Sequence, residues 1–274
     1  MKKVLITGCS GYIGSHLVKM LANDYEVHGL DINVPQADGL SEFYQIDIRK
    51  LFELPTEFDA VVHLAALVKV GESEQNPIQY YITNLNGTMN VINKVRTKNF
   101  IFASTGTAQD CESVYGISKR AAEDVIREYY TQHKPTPYTT FRFYNVIGSD
   151  GFEPTNPDGL MHNLMSAKER GEFVIFGTDY SSYDGTCVRD YVHVNEICDA
   201  LRSAIENPSN QIECLGHGVG HSVRDIVNLY KKVNNLEFEV KHGPRRKGDL
   251  AVSVLDNVSP YMKELYSLEA LLKV

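Results

Sequence analysis

A run of aliphatic residues at Val4–Thr7 passes directly into Thr7-Gly8-Cys9-Ser10-Gly11-Tyr12-Ile13-Gly14, and an amphipathic stretch follows at once. This glycine-patterned turn between a strand and a helix restricts the fold more than any other feature of the chain. Glycines at such a turn let the backbone approach a pyrophosphate closely, and the charge of that group is met by the N–H groups at the start of the helix. A turn of this kind opens a βαβ unit, and parallel strands joined by helical crossovers need helices over both faces of the sheet.

The rest of the chain keeps the alternation. Strands are expected at Val4–Thr7, Val27–Leu30, Ala60–Leu64, Phe100–Ser104 and Thr139–Phe143. Helices are expected at Ile13–Ala22, Pro77–Arg96 and Tyr115–His133, each ended or followed by Gly, Pro or Asn. From about Gly148 the pattern changes: Gly, Pro, Asp and Asn cluster over Gly148–Gly159, and shorter elements follow. The expected fold is α/β, a Rossmann-type doubly wound parallel sheet over residues 1–147 with a smaller substrate-binding lobe at 148–274 and chain interleaving between them. A hydrophobic fraction of 43% over 274 residues is enough to bury such a core.

The second strand ends in Leu30-Asp31, close to the distance past the glycines at which a carboxylate receives the ribose hydroxyls of a dinucleotide. A carboxylate there repels a 2′-phosphate, so NAD is expected as cofactor in preference to NADP. Asp47-Ile48, after a short third strand, is placed either to meet the adenine or to serve as an ordinary turn.

Tyr115-Gly116-Ile117-Ser118-Lys119 sets a phenol and an ammonium four residues apart, hence on one helix face. A phenol of pKa ~10 becomes a base near neutrality only if positive charge stabilises the phenolate. Lys119 and a bound nicotinamide both supply that sign. The preceding strand ends Ser104-Thr105-Gly106-Thr107 at the carboxyl edge of the sheet, where open α/β folds bind ligands. Thr105 is therefore the expected hydroxyl partner of the reacting oxygen.

A net charge of −8 argues against nucleic acid as the main partner, since phosphate binding calls for clustered Lys and Arg. No apolar run is long enough for a membrane span, and no membrane partner is expected. Five cysteines, without a Cys-x-x-Cys pair or an apolar leader, suggest a reduced, cytoplasmic setting. His217-Gly-Val-Gly-His221 lacks a third ligand and holds two glycines, so no metal site is expected.

At these residues the chain resembles the extended short-chain dehydrogenase/reductases, and most closely their UDP-glucose (UDP-galactose) 4-epimerase branch. The similarity runs from residue 2 to about 256. It is carried by Thr7–His16, Val70–Ser73, Asn84–Thr88, Arg142–Val146, Asp184–His193 and Pro244–Asp249. The resemblance implies Tyr115 as base, Lys119 as its partner and Thr105 as the catalytic hydroxyl. It implies a cofactor site at Gly8, Gly11, Tyr12, Ile13, Gly14, Asp31, Asp47, Ile48, Leu64, Ala65 and Ala66, with Tyr115 and Lys119. It also implies a nucleotide-sugar site at Asn84, Thr105, Asn145, Asn163, Leu164, Phe176, Arg189, Arg246, Asp249 and Ser253. The reaction implied is inversion at C4 of a UDP-sugar through a 4-keto intermediate, with a homodimer as the assembly to test for.

The chain departs from the resembling pattern where Val68 stands in place of a Lys, where only Ala108–Val114 remain of a loop between the catalytic hydroxyl and the tyrosine, and at Leu268–Val274, where shortened C-terminal helices are expected. Alternatives within the lineage are a nucleotide-sugar dehydratase or a reductase. Dehydratases of this group resemble one another in an Asp-Glu pair beside the catalytic hydroxyl, where this chain has Gly106 and Thr107. An alternative of another class is a non-catalytic dinucleotide-binding regulator, which would not need Thr105, Tyr115 and Lys119 together.

Overall fold

The structure is a computed structural model and describes every residue except Pro55, Lys247, Glu264 and Val274. Lys247 of the Pro244–Asp249 stretch and Val274 at the end of the expected second lobe therefore lie outside the described residues. In chain order the first 143 residues form β1 (Lys3–Thr7), α1 (Tyr12–Leu21), β2 (Glu26–Asp31), β3 (Glu42–Gln45), β4 (Glu57–Phe58) and β5 (Ala60–His63). They continue as α2 (Val70–Gln75), α3 (Pro77–Tyr80), α4 (Gly87–Lys94), β6 (Arg96–Thr97), β7 (Phe100–Thr105), α5 (Val114–Glu128) and β8 (Tyr138–Phe143). Then follow β9 (Asn145–Ile147), α6 (Leu160–Arg170), β10 (Glu172–Phe176), β11 (Val188–His193), α7 (Val194–Glu206) and β12 (Asn210–Leu215). The chain ends with β13 (Gly220–Ser222), α8 (Val223–Asn234), β14 (Glu239–Gly243), β15 (Val252–Ser253) and α9 (Leu268–Leu272).

The chain divides into two compact units, Met1–Phe143 with Cys198–Glu213 and Tyr144–Ile197 with Cys214–Val274. The division falls after β8 because β9 pairs with β11 of the second unit, Tyr191 opposite Asn145. The segment from Cys198 returns to the first unit, where Asn99 donates an amide hydrogen to the Ala204 carbonyl at 2.9 Å.

In the first unit seven strands lie in the order β12-β8-β7-β5-β1-β2-β3, and the pairs from β8 through to β3 run parallel. This is the doubly wound arrangement expected from the sequence. The strand order reverses between β1 and β5, and the carboxyl edge at such a switch point is where open sheets take ligands. Its physical basis is visible strand by strand. β5, β7 and β8 are buried along their whole length, as strands covered on both faces must be, whereas β3 at the sheet edge is half-exposed. Leu5, Leu30, Val61, Phe100 and Phe102 from the sheet pack with Val91 and Ile92 of α4 and Ala122 and Ile126 of α5 in one core.

Two expected helices are interrupted. Pro77–Arg96 resolves into α3, a π-helical turn at Tyr81–Asn86, and α4; the second ends in another π turn at Tyr129–His133. A π turn loses ideal helix geometry and tends to occur at functional positions. Here it carries Asn84, fully buried, whose carboxamide recovers hydrogen bonds inside the protein.

The second unit holds a parallel pair, β10 with β14, and a sheet in which β11 is flanked by β13, β15 and β9. Its core joins Leu164 of α6 and Phe173 and Ile175 of β10 to Ile226 and Tyr230 of α8 and Leu271 of α9. No described helix is long and apolar enough to cross a membrane, and all five cysteines are free thiols.

Candidate active site

β1 ends at Thr7, and the next residue, Gly8, has φ +75°. A Cβ on Gly8 would stand 2.7 Å from the Ala65 nitrogen, and one on Gly14 would stand 2.1 Å from the Gly8 carbonyl oxygen. Glycine is required because the turn folds against itself and against the segment that leaves β5. Gly11 precedes α1 without a side-chain cap, so the helix presents its N-terminal end, with Tyr12, Ile13 and Gly14, to an anion. Leu64 and Ala65 lie against the turn: the Leu64 N–H donates to the Thr7 carbonyl at 3.0 Å, and the Ala65 N–H to Thr7 Oγ1 at 3.3 Å. Ala66 follows on the same segment.

Asp31, the last residue of β2, is held at this turn. Its carboxylate accepts from the Ser10 N–H at 3.0 Å and the Asn33 N–H at 2.9 Å. Both bonds come from backbone, which leaves lone pairs for ribose hydroxyls. The turn, the open helix end and the placed carboxylate together fit a dinucleotide. Asp47 is forked by Arg49 at 2.7–3.1 Å, and those hydrogen bonds hold its carboxyl below the usual carboxylate range. The Ile48 side chain lies in the core.

The expected catalytic residues gather on β7 and α5. Thr105 closes β7, and its Oγ1 accepts from the Thr107 N–H at 3.3 Å and meets Thr107 Oγ1 at 3.1 Å. It also hydrogen-bonds the Tyr115 hydroxyl. Burial pushes that phenol up to about 12; the Thr105 bond pulls it down, and Tyr80 adds to the rise. Lys119 stands one turn along α5, its Nζ 4.1 Å from the Phe102 ring centre, and burial pushes its ammonium down to about 7 while Glu123 pulls it back.

Sequence reasoning missed what fixes this helix. Ser113 caps it, accepting from the Gly116 N–H at 3.1 Å. The two N–H groups before it are taken by residues of α2: Val114 donates to Glu74 Oε1 at 2.9 Å and Tyr115 to Ser73 Oγ at 3.1 Å. The Val70–Ser73 stretch thus has a mechanical role, satisfying the first turn of the helix that carries Tyr115. Asn84 acts similarly. Its Oδ1 accepts from the Leu67 N–H at 2.8 Å, and its two amide hydrogens go to the Leu67 carbonyl at 2.9 Å and Ser118 Oγ at 3.0 Å. With its hydrogens spent in the interior, Asn84 clasps the segment after β5 to α5 and has none to offer a sugar.

In the second unit, Asp249 is approached by two guanidinium groups. Arg246 Nε donates to its Oδ2 at 3.0 Å, and Arg189 Nη2 stands 3.7 Å from its Oδ1. The Arg246 guanidinium lies 5.0 Å above the Phe176 ring centre, and Ser253 is the register partner of Arg189 across β11 and β15. Phe176, Arg189, Arg246, Asp249 and Ser253 thus form one cluster, with one positive charge beyond what Asp249 neutralises. The other expected residues of this unit are held instead by backbone carbonyls or by the core. Asn145 donates to the Asp190 carbonyl at 3.1 Å, and Asn163 to the Pro157 and Gly159 carbonyls at 2.6 and 2.9 Å. Leu164 is fully buried in the core. His217 bonds both oxygens of Glu196 at 2.8–2.9 Å, and no cluster of three metal-ligating side chains occurs among the described residues.

Residues 4–214 match the NAD dependent epimerase/dehydratase family. A UDP-glucose 4-epimerase of Haemophilus influenzae is 33% identical, the match covering 92% of this chain and 89% of that one. Among solved structures, the UDP-glucose-4-epimerase from Stenotrophomonas maltophila with bound NAD and formylated UDP-arabinopyranose superposes with a TM-score of 0.86 at 28% identity, over 99% of this chain and 96% of that one. The UDP-Glc/GlcNAc 4-epimerase from Campylobacter jejuni superposes with a TM-score of 0.77 at 30% identity, over 100% and 97%.

Proposed function

The chain belongs to the NAD dependent epimerase/dehydratase family, and from that membership we propose that it is an NAD-dependent UDP-sugar 4-epimerase, interconverting UDP-glucose and UDP-galactose and their N-acetylated counterparts. The observation that carries this reading is the joining of Thr105, Tyr115 and Lys119 at the carboxyl edge of a sheet whose first turn fits a dinucleotide. Bound NAD would accept the hydrogen at sugar C4 as hydride and return it to the other face of the 4-keto sugar.

Tyr115 takes the proton from O4 in the first half of the cycle and returns it in the second, with Thr105 hydrogen-bonding both the phenol and the sugar oxygen. Without added positive charge the phenol, at about 12, keeps its proton at neutral pH. Bringing it to 7 requires about 7 kcal/mol of favourable potential, which protonated Lys119 and the cofactor share. Arg189 and Arg246 meet the diphosphate, with Asp249 orienting both guanidinium groups. Asn145 and Asn163 serve the nucleotide as further contacts, Leu164 through its backbone, and Asn84 acts as scaffold. A cytoplasmic setting and a homodimer complete the proposal, the latter checked by sedimentation.

Incubation with NAD and UDP-glucose or UDP-N-acetylglucosamine, with NMR of the products, tests the reading: inversion at C4 without net cofactor turnover is expected. In a parallel incubation supplied with NADH, its stoichiometric oxidation would indicate a reductase instead, and loss of water from the sugar in either incubation would indicate a dehydratase.

Cofactor choice is set by Asp31. Asp31→Ala is expected to narrow the preference for NAD over NADP, because the anionic repulsion of a 2′-phosphate is lost. Calorimetry that finds the parent protein binding NADP at least as tightly as NAD would remove the basis for this assignment.

Sugar size is set by Ser253. In the resembling epimerases a bulky residue at this offset accompanies plain hexoses, and a small one leaves room for an N-acetyl group. Ser253→Tyr is expected to lower kcat/KM for the N-acetylated pair by roughly 10–200-fold while sparing UDP-glucose, the range for contacts worth about 1–3 kcal/mol. Unchanged turnover of UDP-N-acetylglucosamine in the tyrosine variant would show that the gate lies elsewhere.

A further inference from the structure

Behind Lys119 the interior holds an ion pair that the chemistry above does not use. Glu123, one turn further along α5, has a fully buried carboxylate, and Arg142 of β8 forks it, Nε to Oε1 at 2.9 Å and Nη2 to Oε2 at 2.6 Å. Ser104 of β7 donates its hydroxyl to the same Oε1. Ser104 and Arg142 are register partners across β7 and β8, so Glu123 fastens both strands at the level just before Thr105.

We propose that Glu123 is a positioning residue of the epimerisation, keeping Lys119 in its ammonium form beside Tyr115, and that Arg142 and Ser104 hold Glu123 for that task. The inference rests on the functional reading above. Its warrant is the company Lys119 keeps. From β7 it meets the Phe102 ring; from β5 it is felt by His63, a fully buried imidazole that stays neutral; on its own helix stand Tyr115 and Glu123. Of these only Glu123 carries a negative charge that favours the ammonium, and it offsets part of the burial that drives Lys119 down to about 7. A pair needed merely to fill the core has no reason to be ionic, since apolar residues of similar volume usually serve a buried site as well or better. Its place, one turn from Lys119 and bonded to Ser104, the residue before Thr105, is what a charge-holding role requires.

The test uses the NAD-loaded enzyme, Glu123→Gln, which keeps an acceptor for Ser104 and Arg142, and Glu123→Gln/Arg142→Gln, which leaves no charge buried alone. Lys119 is followed by NMR titration of its labelled Cε, and kcat by its pH profile. Both variants are expected to move the Lys119 titration and the high-pH limb of kcat downward by about one pH unit, the low end for loss of a nearby opposite charge. The KM for UDP-glucose is expected to stay within about twofold, as a residue acting through Lys119 rather than on substrate binding requires. If the single variant fails to fold, the double variant carries the test. A double variant with the parent's melting temperature, Lys119 titration and pH profile would show the pair to be structural and overturn the proposal. Absence of epimerisation in the parent would overturn the functional reading, while the Lys119 titration would still decide the present one.

Discussion

Tyr115→Phe is expected to lower kcat on UDP-glucose by roughly 10²–10⁴-fold, the contribution of a positioned general acid–base group, and to leave NAD binding nearly unchanged. The substitution removes one oxygen and little else. The ring keeps its edge-on packing with Tyr80, centroids 6.4 Å apart, and the caps from Ser73, Glu74 and Ser113 act on backbone that does not change. Thr105 loses a partner, a loss worth about 1 kcal/mol, so the melting temperature should move by only a few degrees. Turnover measured by NMR on enzyme that melts normally separates chemistry from folding. A Phe variant with near-parental turnover would mean that another group carries the proton, and the assignment of Tyr115 would be wrong.

The parts legible in the sequence are those whose cause is local. β1, β2, β5, β7 and β8 lie within a residue or so of their expected limits because central parallel strands are nearly continuous apolar runs. The positions of the glycine turn after β1, of Asp31 at the end of β2, of Thr105 at the end of β7 and of Tyr115 and Lys119 on α5 were readable because each depends on residues adjacent in sequence or on a single element. β12 was not: Asn-Gln-Ile-Glu-Cys-Leu is half polar, as suits an outer strand of the sheet. The π turns left no composition signal, since what stabilises the one at Tyr81–Asn86 is the bonding of Asn84 to a segment 17 residues back.

The supporting polar groups were hidden for the same reason. Glu123 finds its partners 19 residues away in both directions, and Ser73 and Glu74 find theirs about 40 residues on. A weak signal did exist: His63 interrupts an apolar strand, and Glu123 falls on the helix face shared by Tyr115, Lys119, Ala122 and Ile126. A titratable residue on a stripe that must be buried has to find a partner, and here the partners are in or beside the site.

His63 should make the fold sensitive to acid in a definite window. Its ring is fully buried, with Nδ1 2.6 Å from Thr7 Oγ1 and Nε2 2.9 Å from Thr88 Oγ1. The Thr88 hydroxyl gives its hydrogen to the Asn84 carbonyl at 2.6 Å, so it accepts from Nε2–H, and Nδ1 accepts the hydroxyl hydrogen of Thr7. The neutral ring is thereby satisfied on both nitrogens, and a second proton would have to reverse the bond to Thr7, the residue before the glycine turn. Burial pushes the imidazole down to about 3, with Lys119 adding to the fall. In the unfolded chain its value is ~6.5, so below that pH the unfolded state takes up a proton that the folded state refuses. The stability this residue confers is therefore complete above pH ~6.5 and drains away as pH falls toward 3, by about 1.4 kcal/mol for each unit. Between pH ~6.5 and 5, above the range in which carboxylates dominate, His63→Asn should be less stable than the parent at neutral pH yet lose less on acidification. Urea melts of both proteins at half-unit steps measure the two slopes. Parallel slopes would mean that His63 takes up its proton without cost in the folded protein, which the directed chain from Ala65 through Thr7, His63 and Thr88 to Asn84 does not allow.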